Sequence, residues 1–313
     1  MKTLSVAICT YNRAVLLNRV LDSLANQTPS NYEVEILIVD NGSTDETNQV
    51  VNQRTALDAR IRYVVEREPG IAHARNRALT EAHGEYLAFI DDDAWADGDW
   101  LENLLAPIQS VSPAPECVVG PVSLVWEGNR PDWFPDRFES LLCRYEMGNA
   151  PRFLDADGYL LTTNSLFHRE TLLKLGGMRT DLGHKRKSLL GGEDNDIFKR
   201  LIANGNRVYY QPTAHVNHPV PKERQTHRFL LRRLFWDGAS QPLFERGSVA
   251  NQRSSFSAWA ELYKDCRRLA RFALEASAGT LRREPAIAKD AVYRLVQRAG
   301  RIRTHFLMVV GAQ

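Results

Sequence analysis

Tyr86-Leu87-Ala88-Phe89-Ile90-Asp91-Asp92-Asp93 decides the reading of this chain. An unbroken apolar run fits a strand covered on both faces of a sheet, and here it ends abruptly in three carboxylates. Three acids in a row after a buried strand repel one another and destabilise the chain unless a cation offsets them. Carboxylate oxygens suit Mg²⁺ or Mn²⁺. Extended backbone turns alternate side chains the same way, so Asp91 and Asp93 are expected to face one bound ion and its ligand. The plainer account of the triplet is a solvated turn leading into a helix near Gly98.

Upstream of this run the chain alternates between two periodicities. Residues 4–9 read as a strand, and residues 14–26 place Leu16, Leu17, Val20, Leu21 and Leu24 on one helical face. Residues 34–39 form a second strand with a helix starting near Ser43 or Thr44, and residues 61–65 a third with a helix over 71–82. A helix over 98–110 follows the fourth strand. Apolar strands alternating with amphipathic helices indicate an α/β fold with a mostly parallel central sheet. Beyond residue 117 the pattern loosens, with strands expected near 118–122, 159–163 and 207–210, and a helix from about Glu193 to Gly205. After Pro219 and Pro221 the chain turns helical and basic, with a Ser/Gln-rich break at 248–257. The expected division is a domain over 1–220 and a basic helical region over 221–313.

The 313 residues are 43% apolar and 25% charged, with a net charge of +2. This is an ordinary soluble globular composition, and it gives no support to a nucleic-acid binder. Residues 251–313 nevertheless hold 12 Lys or Arg against 5 Asp or Glu, a local +7 that leaves −5 for residues 1–250. Cys9, Cys117, Cys143 and Cys266 share no metal-type spacing and are read as reduced. The apolar run at 6–9 is too short for a signal-peptide core, and no stretch approaches the ~20 apolar residues of a membrane span. A cytoplasmic protein is expected.

Ligands of open α/β sheets bind beyond the carboxyl ends of the strands. Thr10-Tyr11-Asn12-Arg13, Asp40-Asn41-Gly42-Ser43 and Asp91-Asp92-Asp93 all fall on that rim. Singly, Asp-Asn-Gly-Ser is an ordinary turn and helix cap. Glu193-Asp194, behind Gly191-Gly192, offers a carboxylate that can take a proton from a hydroxyl nucleophile. Two acids opening a helix also suit its dipole. Two late histidines, His215 and His218, stand close together in sequence, and a lone histidine is ordinarily structural. Trp126, Trp133 and Phe134 suit either a flat platform for a ligand ring or a core.

Five pieces then carry a resemblance: Val6-Ala7-Ile8-Cys9-Thr10-Tyr11-Asn12-Arg13, Ile38-Val39-Asp40-Asn41-Gly42-Ser43-Thr44-Asp45, Gly70-Ile71-Ala72-His73-Ala74-Arg75-Asn76, the run at 86–93, and Gly191-Gly192-Glu193-Asp194-Asn195-Asp196. In this order the chain resembles the family 2 glycosyltransferases over residues 1–220. Their GT-A fold is a nucleotide-sugar-binding α/β sheet. The resemblance implies that Asp40 holds the nucleotide base, and that Thr10, Tyr11 and Asn12 lie along base and ribose. Arg75 and Asn76 would approach the phosphates. Asp91 would lie near the ribose and metal, Asp92 in the variable middle position of the donor site, and Asp93 directly on Mn²⁺ or Mg²⁺ with His218. Asp194 would be the base and Glu193 its positioning partner, with inversion at the anomeric carbon. The expected donor is a nucleotide-sugar, UDP-linked by preference, and the acceptor a saccharide or a lipid-linked one.

Two other readings stand beside this one. A sugar nucleotidyltransferase would carry a Gly-rich basic loop where Cys9-Thr10-Tyr11-Asn12-Arg13 stands. A silent nucleotide-sugar-binding protein would not need Asp93 and Asp194 together. In the basic region, Ala288, Val292, Leu295, Ala299, Ile302 and Phe306 recur at 4-3-4-3-4 spacing, and Trp259, Leu262, Cys266 and Leu269 form a similar stripe. Such helices dock on the catalytic domain, pair with another subunit, or lie peripherally on the inner face of an anionic membrane.

Overall fold

A computed structural model describes residues 2–186, 188–247, 255–282 and 284–310. The elements of the first half are β1 (Lys2–Thr10), α1 (Ala14–Leu24), β2 (Tyr32–Asp40), α2 (Thr47–Leu57), β3 (Ile61–Val65), α3 (Ile71–Glu81), β4 (Tyr86–Ile90), β5 (Trp95–Ala96) and α4 (Trp100–Ser110). β6 (Cys117–Val119), β7 (Val122–Trp126), a 3-10 helix (Asp136–Leu142), β8 (Arg152–Phe153), β9 (Asn164–His168) and α5 (Arg169–Lys174) follow. The chain continues through α6 (Glu193–Ala203), β10 (Val208–Tyr210), β11 (Val216–Val220), α7 (His227–Gly247), α8 (Ser255–Leu281) and α9 (Pro285–Val309).

Eight strands form one sheet in the order β3-β2-β1-β4-β9-β6-β10-β8. β1 to β4 are mutually parallel, as their apolar runs predict, whereas β9 runs antiparallel to both β4 and β6. Leu4, Val6 and Ile8 of β1 enter one core with Leu17, Leu21 and Trp100, while Ala7 enters the other with Ala74, Ala78 and Phe89. The sheet is therefore buried on both faces, which is why its strands read as unbroken apolar runs.

A smaller sheet, β5-β11-β7, stands beyond the ends of the main strands. Pro219 is tolerated in β11 because β5 pairs only with Val216 and Asn217. The 118–122 stretch is not one strand: Gly120-Pro121 breaks it into β6 and β7. A Cβ at Gly120 would lie 2.0 Å from the Ala214 carbonyl oxygen, so only glycine fits there. Residues 159–163 are not a strand; the pairing begins at Asn164 instead. All four cysteines are free.

The chain separates into two compact units, Met1–Thr180 with Ile197–Lys222, and Asp181–Asp196 with Glu223–Gln313. In the second, a Cβ at Gly300 of α9 would meet the Phe235 carbonyl oxygen of α7 at 1.9 Å, so α7 and α9 cross backbone to backbone. Asp265 of α8 is fully buried, bonded to Arg298 and to His305 Nδ1 (3.0 Å) and paired with Arg301 (3.3 Å). Burial opposes its ionisation, but His305 and the two guanidinium groups outweigh burial and hold the carboxyl down to about 2. The 248–257 break lies outside the described residues over 248–254, and α8 begins at Ser255.

Candidate functional site

The carboxyl ends of β1, β2 and β4 bring the predicted rim together. Thr10 and Asp40 are register partners and both are buried. Asp40 accepts from the Ser43 backbone N–H (2.8 Å) and from the Tyr63 hydroxyl of β3 (2.6 Å). Burial, together with that bond to Asp40, pushes the Tyr63 hydroxyl up to about 12, so it stays a donor. Tyr63 is a partner of Asp40 that sequence reasoning missed; the β2–β3 register reveals it. Tyr11 is exposed at the rim. Asn12 takes φ 54° and ties two strand ends together, its side-chain oxygen accepting from the Thr44 N–H (2.7 Å) and its own N–H donating to Ser43 Oγ (2.9 Å).

The charge of the acidic triplet is offset by arginines. Arg13 Nη1 lies 2.7 Å from Asp92 Oδ1 and 2.7 Å from Asp93 Oδ2, while Arg75 Nη2 stands 3.5 Å from Asp91 Oδ1. Thr163 donates to Asp91 Oδ2 at 2.6 Å. Asp92 is buried; burial raises its pKa, Arg13 pulls it back and Asp93 adds to the rise, leaving it above the usual carboxylate range. Arg75 is buried at the rim. Its neighbour Asn76 turns to the protein instead, its amide donating to the Met178 carbonyl (2.8 Å) and accepting from the Met178 N–H (2.7 Å).

His218 reaches the same cluster from β11, its Nε2 3.3 Å from Asp93 Oδ1. The ring is buried, and its Nδ1 has no conventional hydrogen-bond partner among the described residues. Burial disfavours the imidazolium, yet Cys143 and Asp93 beside it outweigh this and push it up to about 10. Donor atoms of Asp91, Cys143 and His218 lie within 4.8 Å of one another. Cys143 is a second residue the sequence did not single out. It follows the 3-10 helix in a left-handed conformation, φ 75°, which no local sequence signal announces. His215 lies elsewhere, on the wall of a cavity of about 320 Å³ that Trp126, Tyr145, Glu139 and Arg144 also line. Phe134 is buried between Trp126 (5.4 Å) and Trp133 (5.5 Å) and serves as core.

Glu193 and Asp194 open α6 behind Gly192, which has φ 102°. They belong to the second compact unit, where the Gly191 N–H donates to Ser240 Oγ at 2.8 Å and the Asp196 N–H to the Gly192 carbonyl at 2.9 Å. Glu193 is buried.

Comparison with known proteins agrees with this architecture. Residues 5–176 match Glycosyl transferase family 2, more than half of the chain. The chain belongs to that family, and it is a glycosyltransferase. It is 29% identical over 245 residues to the glucosyl-dolichyl phosphate glucuronosyltransferase of Haloferax volcanii, covering 77% of each chain. It is also 29% identical over 289 residues to the succinoglycan biosynthesis protein ExoM of Rhizobium meliloti, covering 87% of this chain and 89% of that one. The mannosyltransferase PcManGT from Pyrobaculum calidifontis, solved with GDP-Man and Mn²⁺, superposes with a TM-score of 0.59 at 22% identity, over 96% of this chain and 86% of that one. The fold is the GT-A glycosyltransferase fold with a C-terminal helical region.

Proposed function

We propose that this enzyme moves a sugar from a nucleotide-sugar to an acceptor hydroxyl with a divalent cation, Mn²⁺ or Mg²⁺, inverting the anomeric carbon during polysaccharide or glycoconjugate synthesis. The supporting observation is the rim itself, where buried Asp40, the triplet Asp91-Asp92-Asp93 and His218 gather beyond the strand ends. Asp40, fixed by Tyr63, holds the base, with uracil favoured. Thr10, Tyr11 and Asn12 border base and ribose, and Arg75, with Asn76 bracing α3, faces the phosphates. Asp91, Asp93 and His218 hold the cation. A buried His218 Nδ1 without a conventional hydrogen-bond partner among the described residues, and the proximity of Asp91 and Cys143, fit a cation there. Such an ion stabilises the negative charge left on a departing diphosphate. Asp194 takes the acceptor's proton, Glu193 orients it, and residues 1–220 form the catalytic domain. Thermal-shift screening of nucleotide-sugars in MnCl₂, followed by donor turnover, tests this. Asp194→Asn is expected to lose ~10²–10⁴ in rate while still binding donor. Binding without turnover by the wild type, across a broad acceptor panel, points to a silent binding protein.

A saccharide or lipid-linked acceptor is proposed, with residues 221–313 as a peripheral contact on the cytoplasmic face of the membrane. No described helix is long and apolar enough to cross a membrane. Trp259, Tyr263, Leu274 and Leu281 share one side of α8, 57%, 64%, 73% and 85% exposed. Lys264, Arg267, Arg268, Arg271 and Arg282 lie exposed beside them. Cations near an anionic surface contribute about 1 kcal/mol each. Failure to float with phosphatidylglycerol vesicles at low salt would refute this contact.

A further inference from the structure

Cys143 stands outside every motif of the sequence, yet its sulfur is one corner of a triangle with an Asp91 oxygen and a His218 ring nitrogen, all within 4.8 Å of one another. The three come from separate segments: the end of β4, the residue closing the 3-10 helix, and β11. Ligand atoms around a tetrahedral ion stand roughly 3.3–3.8 Å apart, so small side-chain rotations bring these into bonding range. The second observation is His218. It is 2% exposed and its Nδ1 has no conventional hydrogen-bond partner among the described residues, whereas buried ring nitrogens are ordinarily paired.

Resting on the metal-dependent reading above, we infer that Cys143 is a further direct ligand, so that its sulfur joins the oxygen and nitrogen ligands supplied by Asp91, Asp93 and His218. On binding, the Cys143 S–H bond and the His218 Nδ1–H bond break, sulfur–metal and nitrogen–metal bonds form, and two protons leave to solvent. A thiolate favours borderline ions such as Co²⁺ and Zn²⁺ over Mg²⁺, which prefers all-oxygen sites. The site should therefore rank Mg²⁺ well below Mn²⁺, Co²⁺ and Zn²⁺.

The test is titration of the full-length enzyme with CoCl₂ in the presence of UDP, read by absorbance and, separately, by equilibrium dialysis. The wild type should show a near-ultraviolet sulfur-to-cobalt band that saturates at one equivalent. Cys143→Ser and Cys143→Gly should lose the band and bind Co²⁺ at least about tenfold more weakly; the glycine variant keeps the left-handed backbone unstrained. Stoichiometric Co²⁺ binding without the band, or an unchanged band in Cys143→Gly, overturns the inference and leaves the metal-dependent reading standing. No Co²⁺ binding by the wild type overturns both.

Discussion

Two carboxylate clusters in this molecule look alike in composition and differ in completeness. Around Asp265 each carboxylate oxygen is taken, by Arg298 on one side and by Arg301 and His305 on the other. Around the strand ends, Arg13 and Arg75 offset Asp91, Asp92 and Asp93, but His218 Nδ1 has no conventional hydrogen-bond partner among the described residues and the Cys143 sulfur stands beside the ring. A saturated buried network holds helices together. One with coordinating capacity left over is a place for a ligand.

The comparison breaks most visibly at Asp265. Replacing it with alanine strips Arg298, Arg301 and His305 of their counter-charge, and urea unfolding followed by helical circular dichroism should lose about 3 kcal/mol with donor affinity unchanged. The pH dependence has a definite sign. Because the folded carboxyl is depressed to about 2, its contribution is complete above the unfolded value near ~3.9. It fades as pH falls through the folded value, about 2–3 kcal/mol in all. Asp265→Asn should flatten that acid limb.

At the rim the expectation reverses. Arg13→Gln leaves Asp92 and Asp93 without their guanidinium, so stability in EDTA should fall by about 1–3 kcal/mol and recover largely in Mn²⁺; equal loss in both would make Arg13 a structural partner only. The smallest effect belongs to Tyr63→Phe, which removes one donor from Asp40. UDP should bind about 3- to 10-fold more weakly by calorimetry, the worth of one hydrogen bond.

How much of this could be read beforehand follows from the range of the contacts. β1 to β4 were legible because each carries a largely apolar run, and the rim followed from where those strands end. β9 was not, because its buried positions include Asn164 and Ser165. Asn164 accepts from Trp100 Nε1 (2.8 Å) and donates to the Pro121 and Ala214 carbonyls, so tertiary hydrogen bonds replace the apolar signal. α9 misleads in the same way. Val292 and Phe306 of its apolar stripe are exposed, whereas Arg301, Thr304 and His305 are buried around polar partners. Arg13, Tyr63 and Cys143 act through residues distant in sequence, and no spacing rule reaches them.

The central claim is that the rim grips a cation against a diphosphate. Calorimetric titration of UDP and GDP into wild type and Asp91→Asn, in MnCl₂ and in EDTA, tests it most directly. Binding by the wild type should strengthen by at least about tenfold in Mn²⁺, and Asp91→Asn should erase that gain. Equal affinity in EDTA, or a variant that keeps the full Mn²⁺ gain, would contradict it.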